Sequence, residues 1–420
     1  MISFYRDEEI VLLNTAEIIR IVRSALSKID PRLIDHGERV GYIAAKIREE
    51  CPDRSDIDPT VLFILCALHD IGAYKTEEID DMVRFETETV FDHALYGYLF
   101  LKNTTHLSAY AEAVYYHHTD YRSPALRACP CARYAQLIHL ADRADILLGA
   151  GARGLGSLRA MAGTRFLPAD VEALFRAEDR FHMTEQLRSG AYLREAEEMA
   201  LSLDIKSHEI MDYLRLLVYA IDFRSPYTVT HTADTTLISL ETGRLLGMGE
   251  HDLQAMYLGA FLHDVGKIAI PHTILEKPGK LTAAEFTIIQ RHIPEGEQIL
   301  RGVVSDEICD IALRHHEKMD GSGYALGLRG DELTLPQRIV GVADILSALS
   351  QKRSYKEAFP KSQVVSILTD MKERGQLCPL VVDTACLNYD RILRNTELSH
   401  DPVKTLYSDM VREYAQRRGA

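Results

Sequence analysis

Long apolar segments and paired cysteines are both missing from this sequence. No segment approaches the roughly 20 consecutive apolar residues of a membrane-spanning helix, so we expect no membrane span. The N-terminus has neither a basic region nor a long apolar run, which argues against a secretory signal. The seven cysteines are scattered, and although Cys129 and Cys131 stand close together, no second pair lies at zinc-site spacing. We therefore predict a cytoplasmic protein whose reduced cysteines fill apolar space.

Basic charge is also scarce. The chain has 48 lysines and arginines against 62 acidic residues, which gives a formal net charge of −14. Binding to a nucleic-acid polymer needs clustered lysines and arginines, so this charge balance argues against non-specific binding of DNA or RNA. A small phosphate-bearing substrate remains compatible, because its site needs only a few local cations or metal ions. With 420 residues and 46% hydrophobic content, the chain is long enough for two or three domains with proper cores.

Strand-like alternation of apolar and polar residues is scarce as well. Residues 15–29 and 235–249 instead carry apolar residues at intervals of three and four, which is typical of amphipathic helices. The turn signals are local, as at Asp30-Pro31 and Gly321-Ser322-Gly323. We predict an all-α protein.

Seven histidines and aspartates recur in the same order in the two halves of the chain. The first set is His36, His69, Asp70, His93, His117, His118 and Asp142. The second set is His231, His263, Asp264, His292, His315, His316 and Asp344. The first interval is 33 residues in one set and 32 in the other, and the later ones are 24 against 29, 24 against 23 and 24 against 28. Two such sets in one order are hard to reach by chance, so we predict an internal repeat.

The repeat predicts the domain organisation. The first repeat covers residues 1–150, and a Gly-rich stretch followed by a charged helical pattern indicates a helical connector at 151–204. The second repeat covers residues 205–375. A polar helical tail at 376–420 carries no chemical signature.

The recurring residues suit a metal centre. Each Leu-His-Asp triplet ends an apolar helical run, so its aspartate arrives in a dry interior, where a carboxylate is costly unless it is paired or bound to a metal. Imidazoles and carboxylates together suit iron, manganese, zinc, cobalt or nickel. Five histidines and two aspartates are too many ligands for one octahedral ion and suit two ions with a bridging carboxylate, a clamp that serves phosphoryl hydrolysis. Any one of these histidines taken alone would be read as a core or surface residue.

The second repeat resembles the HD-GYP family of HD-superfamily phosphodiesterases. The resemblance covers roughly residues 205–375 and rests on three segments, FLHDVGKIAIPHTILEKPGKLTAAEF, HHEKMDGSGYALGLRGDEL and RIVGVADILSALSQKRSYKEA. The first repeat is similar to a shorter HD domain of the same superfamily over about residues 15–150. The resemblance implies two HD-superfamily helical domains in tandem, joined by a helical connector.

The resemblance also implies roles for single residues. The second set of seven would ligate two divalent metal ions, most often iron in this family, with manganese, nickel or zinc as alternatives. Asp264 would be the bridging, catalytic carboxylate. Lys267 would meet the scissile phosphate, which agrees with its place about one helical turn beyond Asp264. Arg353 and Lys356 match positions where the family contacts substrate phosphate.

This sequence departs from the family pattern in the second repeat without losing a ligand. The signature Gly-Tyr-Pro is here Gly323-Tyr324-Ala325, and alanine leaves the loop freer than proline would. The aspartate that usually follows the last ligand by three residues is Ser347. His272 stands where an acidic residue is more typical, and Tyr227 stands where some members carry a glutamate for a third metal. We therefore expect two metals and an altered choice of substrate or partner.

The first repeat departs further. All seven ligand positions have counterparts, so a second metal site is predicted there, but the lysine of HDVGK is replaced by Ala73. Lys75 lies near enough to be considered as its substitute. Gly151 stands at the position of Arg353, and no Gly-Tyr loop follows His118. We predict a domain that binds metal but hydrolyses cyclic dinucleotides weakly or not at all, with a decayed duplicate kept for packing as the alternative.

The resulting hypothesis is a metal-dependent phosphodiesterase. Its substrate would be a cyclic dinucleotide, either cyclic di-GMP or 3′3′-cyclic GMP-AMP, cleaved to the linear dinucleotide and in part to mononucleotides. Two alternatives stay open: an HD phosphohydrolase acting on another nucleotide or phosphoester, and a receptor that binds a cyclic dinucleotide without hydrolysing it. The expected partners are this substrate and a signalling protein that reads the loop 323–325, with no nucleic-acid polymer and no membrane, and a homodimer is an assembly that the sequence allows.

Overall fold

The computed structural model describes nine stretches of the chain and is helical throughout them. The described residues are 13, 15–28, 35–75, 91–149, 152–202, 207–223, 230–277, 279–350 and 358–418. Among them there is no β-strand, and only three isolated bridges occur. Within the described residues, none of the helices has the length and apolar character needed to cross a membrane. The predicted all-α class is confirmed.

The chain divides into two compact units. The N-terminal unit comprises residues Asn14–Ala220 with Arg417–Ala420, and the C-terminal unit comprises Ile221–Gln416 with Met1–Leu13. In the N-terminal unit the α-helices are α1 Thr15–Leu26, α2 His36–Glu50, α3 Pro59–Leu68, α4 Phe91–Thr104, α5 Ala111–Tyr115, α6 Pro124–Ala128, α7 Ala132–Gly149, α8 Gly156–Ala160, α9 Pro168–Phe181, α10 Met183–Ser189, α11 Tyr192–Leu201 and α12 Ser207–Asp222, the last of which ends just past the division.

The C-terminal unit continues the numbering. Its α-helices are α13 His231–Leu245, α14 Glu250–Leu262, α15 His272–Leu275, α16 Ala283–Gln290, α17 His292–Leu300, α18 Asp306–Leu313, α19 Leu335–Ser350, α20 Lys361–Glu373, α21 Pro379–Leu387 and α22 Tyr389–Arg418, whose last two residues fall beyond the unit.

The two units share a core of five helices in the same order. These are α2, α3, α4, α5 and α7 in one unit and α13, α14, α17, α18 and α19 in the other. In each unit the first helix packs against the second and against the last. A short 3-10 helix follows the second helix at Ile71–Lys75 and at Val265–Ala269, and it packs against the third. The repeat seen in the sequence is therefore a repeat of packed helices.

A glycine in each 3-10 helix permits this packing. A Cβ atom on Gly266 would lie 1.9 Å from the carbonyl oxygen of His292, and one on Gly72 would lie 2.1 Å from that of His93. No side chain fits such a space, because real Cβ contacts are much longer. The glycine of the His-Asp-x-Gly motif therefore brings the backbone of the third histidine close to the His-Asp pair.

Residues 152–202 pack within the N-terminal unit. Helices α9 and α11 contact α2, and the Nη2 atom of Arg176 donates to the carbonyl of Glu50 at 2.8 Å. The buried carboxylate of Asp170 accepts from Arg133 on α7 at 2.7 and 3.0 Å. The domain boundaries inferred from the repeat, with a connector at 151–204, remain a prediction.

Candidate metal centres

In the C-terminal unit, six of the seven predicted ligands lie at or just beyond helix ends, and the seventh lies within a helix. His231 and His292 are the first residues of α13 and α17. His263 and Asp264 directly follow α14, and the pair His315 and His316 follows α18. Asp344 projects from the middle of α19. All are buried except His316, whose side chain is 25% exposed, so the cluster has one open side.

The carboxylate of Asp264 lies between two groups of imidazoles. Its Oδ2 atom is 3.1 Å from the Nε2 atom of His263 and 3.7 Å from that of His231. Its Oδ1 atom is 3.8 Å from Nε2 of His292, which is itself 3.5 Å from Nε2 of His315. One oxygen thus faces each group, as a bridging ligand requires.

Asp344 closes the other side of the cluster. Its Oδ1 atom is 3.1 Å from Nε2 of His231, and its Oδ2 atom is 3.7 Å from Nδ1 of His316. Two groups of donor atoms have the mutual spacing of metal ligands, namely His231, His263 and Asp264, and His292, His315 and His316. The seven residues therefore supply donors for two neighbouring ions.

Free carbonyl groups at the ends of helices orient three of these rings. The Nδ1 atoms of His263, His292 and His315 lie 2.7 Å from the carbonyl oxygens of Ala260, Ile289 and Ala312 respectively. The last carbonyls of a helix have no partner within it, so each accepts an Nδ1–H. A neutral imidazole has one N–H, and the Nε2 lone pair is left for a metal. His231 differs, since its Nδ1 atom lies 3.0 Å from the hydroxyl of Ser347.

Burial and opposite charge together set the protonation of the cluster. Burial alone would raise the pKa of Asp264, but His263 and Lys267 outweigh it and hold that pKa well below its usual value. Burial lowers the pKa of His315 well below its usual value and that of His316 to about 3. Burial would lower the pKa of His263, but Asp264 raises it, so this ring gives up a proton when a divalent ion binds, whereas the carboxylates, His315 and His316 already have the protonation states that bind one.

Lys267 stands at the open side of this centre. Its Nζ atom donates to the Oδ2 atom of Asp264 at 2.5 Å, and its side chain is 22% exposed. It belongs to the 3-10 helix Val265–Ala269, which directly follows the His-Asp pair. The ammonium group therefore lies beside the ligands and in reach of solvent.

The loop after the paired histidines is held by a buried glutamate. The Glu317 carboxylate accepts backbone N–H bonds from Leu326 at 2.6 Å, Gly327 at 3.2 Å and Leu328 at 2.9 Å. The ring of Tyr324 lies 4.7 Å from that of His316, measured between ring centroids. Ala325, in place of proline, therefore sits in a loop whose next three amides are already fixed by a neighbour of the ligands.

In the N-terminal unit, Asp70 occupies the place that Asp264 has in the other unit. Its Oδ2 atom is 3.4 Å from Nε2 of His69 and 3.7 Å from that of His36. Its Oδ1 atom is 3.5 Å from Nε2 of His93 and 3.8 Å from that of His117. The structure thus brings the first set of residues together around one carboxylate.

The remaining two members of the first set lie on the same cluster. The Oδ1 atom of Asp142 is 3.4 Å from Nε2 of His36, and its Oδ2 atom is 3.8 Å from Nδ1 of His118. Two groups of donors have the spacing of metal ligands, namely His36, His69 and Asp142, and Asp70, His93, His117 and His118.

The surroundings of the two centres differ in charge. The Nδ1 atom of His36 lies 2.8 Å from Asp145, which holds the position of Ser347 and also accepts from Arg39 at 2.7 and 3.0 Å. Burial would lower the pKa of His36, but the hydrogen bonds to Asp142 and Asp145 raise it to about 10. At the position of Lys267, Ala73 presents a buried methyl group instead of an ammonium. Among the described side chains of the N-terminal unit, no ammonium group takes the place of Lys267.

Orphaned polar atoms show that both clusters fit metal ions. The Nε2 atoms of His69 and His263 are buried and satisfied by no hydrogen bond, and the same is true of the Oδ1 atoms of Asp70 and Asp264. Buried polar atoms are normally satisfied, so such a concentration needs an explanation. Divalent metal ions would use these lone pairs, and mixed imidazole and carboxylate donors suit first-row transition metals.

Several residues singled out in the sequence lie outside the described residues, namely Arg353, Lys356, Tyr227 and Gly151, and the side chain of Lys75 does too. His272 is exposed at the start of α15. Sequence reasoning overlooked Glu317, whose place directly after the paired histidines was a signal. It also overlooked Arg143, whose Nη2 atom lies 3.2 Å from the Nδ1 atom of His118, a residue 25 positions away.

Two matches to the HD domain family coincide with the two centres. One covers residues 215–377 and the other residues 33–147, together about two-thirds of the chain. Each match spans all seven ligand positions of its unit. The predicted tandem of HD domains is confirmed.

Among known proteins, the chain is similar to the 3′3′-cGAMP-specific phosphodiesterase 1 of Vibrio cholerae. The two are 29% identical over 401 residues, which cover 90% of this chain and 92% of the relative. A cyclic di-GMP phosphodiesterase response regulator of Xanthomonas campestris is 36% identical over 214 residues, covering 50% of this chain and 54% of that protein.

A solved structure shares the fold. The crystal structure of a cyclic GMP-AMP-specific phosphodiesterase from V. cholerae superposes with a TM-score of 0.56 at 20% identity, covering 89% of this chain and 97% of the other. This chain belongs to the HD domain family and carries that domain twice.

Proposed function

We propose that the C-terminal unit is a metal-dependent phosphodiesterase that cleaves a 3′–5′ linkage of a cyclic dinucleotide. The observation that carries this proposal is the Asp264 carboxylate, which has one oxygen toward each group of imidazoles and Lys267 at its open side. A pair of divalent ions at such a centre polarises a phosphoryl group and activates water.

The chain's own residues divide the remaining work. Two divalent ions would be held by His231, His263, His292, His315, His316 and Asp344, and Asp264 would offer one carboxylate oxygen to each of them. Lys267 supplies a compact positive charge that stabilises the charge developing on the phosphoryl oxygens. Arg353 and Lys356, which lie outside the described residues, are proposed to bind substrate phosphate.

We propose 3′3′-cyclic GMP-AMP as the preferred substrate and cyclic di-GMP as a weaker one. The similar protein whose length this chain covers almost completely is named for the former, whereas the response regulator matched over about half its length is named for the latter. Iron is the proposed metal, with manganese, nickel or zinc as alternatives. The product is the linear dinucleotide.

The N-terminal unit is proposed to bind metal and to regulate rather than catalyse. Its centre keeps the seven donors, but Ala73 removes the cation that would meet a phosphate. A cytoplasmic location is proposed because all seven cysteines are free thiols, six of them buried. Recognition of the loop 323–325 by a signalling protein and formation of a homodimer stay predictions.

A turnover assay with metal analysis on the same sample tests the function. The iron- or manganese-loaded chain should hydrolyse cyclic GMP-AMP faster than cyclic di-GMP. The variant Asp264→Ala should lose both C-terminal metal and turnover, whereas Asp252→Ala, an exposed aspartate on α14, should keep both.

Three outcomes would reject the proposal in different ways. Unchanged turnover in Asp264→Ala would overturn the site assignment. Equal release of product from simple nucleoside monophosphates would favour another phosphohydrolase. Tight binding of cyclic dinucleotide by the fully loaded chain without any hydrolysis would favour a receptor.

A further inference from the structure

We propose that the N-terminal centre holds a single metal ion and that Arg143 keeps its second half closed. The inference deepens the proposed metal binding by this unit and rests on it. Arg143 follows the ligand Asp142 directly on α7, and its side chain is 2% exposed. Its Nη2 atom lies 3.1 Å from the Oδ2 atom of Asp142 and 3.2 Å from the Nδ1 atom of His118.

The contact with His118 decides which nitrogen of that ring carries the proton. A guanidinium only donates hydrogen bonds, so Nδ1 of His118 must accept. The single proton of the neutral ring then sits on Nε2. A metal ligand needs a lone pair at that nitrogen, so His118 in this arrangement is not a ligand.

The same proton also engages His93. The Nε2 atom of His118 lies 3.2 Å from the Nε2 atom of His93, where its N–H is donated. Of the three histidines grouped with Asp70, namely His93, His117 and His118, two thus contact each other through their Nε2 atoms. What remains on that side is too little to bind a second ion firmly.

The other half of the centre stays open for an ion. The Nδ1 atom of His69 is tied to the carbonyl of Cys66 at 2.7 Å, and that of His36 is tied to Asp145. Both rings therefore direct Nε2 inward, toward oxygen atoms of Asp70 and Asp142, and His36 gives up its Nε2 proton when an ion binds there. These four residues form the site for the single ion.

The C-terminal centre shows what changes without the arginine. The residue after Asp344 is Ile345, which donates nothing. The Nδ1 atom of His316 lies 3.7 Å from the Oδ2 atom of Asp344, much as that of His118 lies 3.8 Å from Asp142, but among the described residues no arginine contacts it. A buried guanidinium also repels a second dication, and a low-dielectric interior strengthens that repulsion. The presence of Arg143 after Asp142, and of Ile345 after Asp344, therefore accounts for one ion in the N-terminal centre and two in the C-terminal centre.

Metal stoichiometry of the full chain tests this inference. The C-terminal centre is first emptied by His263→Ala and Asp264→Ala, and the protein is loaded with manganese, desalted and analysed for metal per chain. We expect one ion. Adding Arg143→Ile, which copies the C-terminal unit, should raise the content to two and produce the spin-coupled manganese signal of an ion pair. Arg127→Ile, an exposed arginine of the same unit, should leave one.

Histidine variants keep the test decisive if Arg143→Ile fails to fold. In the emptied background, His118→Ala should still hold one ion, whereas His69→Ala should hold none. Two ions with Arg143 in place, loss of the single ion in His118→Ala, or one ion in a folded Arg143→Ile would each overturn the inference. No ion at all would instead reject metal binding by this unit, and turnover by the intact chain would be unaffected by that result.

Discussion

The histidine rings of the C-terminal centre are oriented by hydrogen-bonding groups that take no part in the proposed reaction. Backbone carbonyls at the ends of helices accept the Nδ1–H of three histidines, and the hydroxyl of Ser347 contacts a fourth. A ligand locked in this way gives up little rotational freedom when a metal binds. At the scale of single residues, the centre is thus preorganised for metal, and Lys267 is the residue placed for substrate.

Replacing Lys267 by Ala is expected to separate metal binding from catalysis. The ammonium contacts Asp264 from the open side, so its loss leaves seven ligands but removes a charge that would stabilise the transition state. We expect turnover to fall by about 100-fold or more, with unchanged metal content. The control is Lys280→Ala, an exposed lysine, which should behave as wild type. Loss of metal from Lys267→Ala would show instead that the lysine supports the centre itself.

Asp222 is expected to make the metal-free protein less stable as the pH rises. Burial raises the pKa of this carboxyl to about 7 from its usual 3.8, so folding favours the protonated form. The stabilisation is fully present below the unfolded pKa and is lost as the pH rises through the folded pKa. Between about pH 4 and pH 7 the free energy of unfolding should therefore fall by up to about 1.4 kcal/mol per pH unit.

Denaturant titrations of the chelator-treated protein and of Asp222→Asn at pH 5 and pH 7 measure this effect. The difference between wild type and variant should be larger at pH 5, since the asparagine does not titrate. An identical pH dependence in the two proteins would rule out Asp222 as its source.

Five helices in one order build each centre, and close contact between elements keeps them in register. The 3-10 helix after each His-Asp pair packs on the helix that carries the third histidine, across a glycine. The ligands come from helix ends, where a change of chain direction brings distant residues to one point. The packing of each 3-10 helix on the next helix therefore sets the positions of the metal-binding side chains.

The variant Gly266→Ala tests this control. Its Cβ atom would fall 1.9 Å from the carbonyl oxygen of His292, so the 3-10 helix and α17 must separate. We expect a destabilisation of more than about 3 kcal/mol, together with weaker metal binding at the C-terminal centre. Thermal unfolding and metal titration measure the two effects. Gly249→Ala is the control, because no atom lies within 4 Å of its added Cβ and its backbone is extended; equal behaviour of the two variants would contradict the packing argument.

At the scale of the whole chain, one fold has been used twice with different surroundings. The C-terminal centre has Lys267 at its open side and the Ser347 hydroxyl behind His231, whereas the matching positions of the N-terminal centre are Ala73 and Asp145, and Arg143 contacts two of its ligands. The N-terminal unit keeps the seven metal-binding residues but has Ala73 at the position of Lys267. This difference is consistent with catalysis by the C-terminal unit and regulation by the N-terminal unit.

Removing metal should destabilise both units. An ion that binds only the folded state contributes about 2.7 kcal/mol to the free energy of unfolding when its free concentration is 100 times its Kd. Chelation should therefore lower the melting temperature, and manganese should restore it. A chain with His263→Ala and Asp264→Ala should retain part of this response through its N-terminal centre. A melting temperature unmoved by chelator in that chain would indicate that the N-terminal unit binds no metal.

Much of the site could be read from the sequence because its signals are local. One histidine or aspartate at the end of an apolar helical run is ambiguous by itself, but the recurrence of seven such residues in one order in both halves identified all fourteen candidate ligands before any distance was known. The resemblance to the HD superfamily rested on segments that contain these residues, whereas the all-α class followed from apolar residues at intervals of three and four.

Only the tertiary structure decided how the two centres differ. The contact of Arg143 with His118 joins residues 25 positions apart, and the Glu317 carboxylate reaches amides nine to eleven positions away. Which nitrogen of a histidine carries its proton depends on such contacts, and no pattern along the chain encodes them. The sequence by itself determined which side chains could bind metal, whereas their three-dimensional neighbours decide which lone pairs remain open to do so.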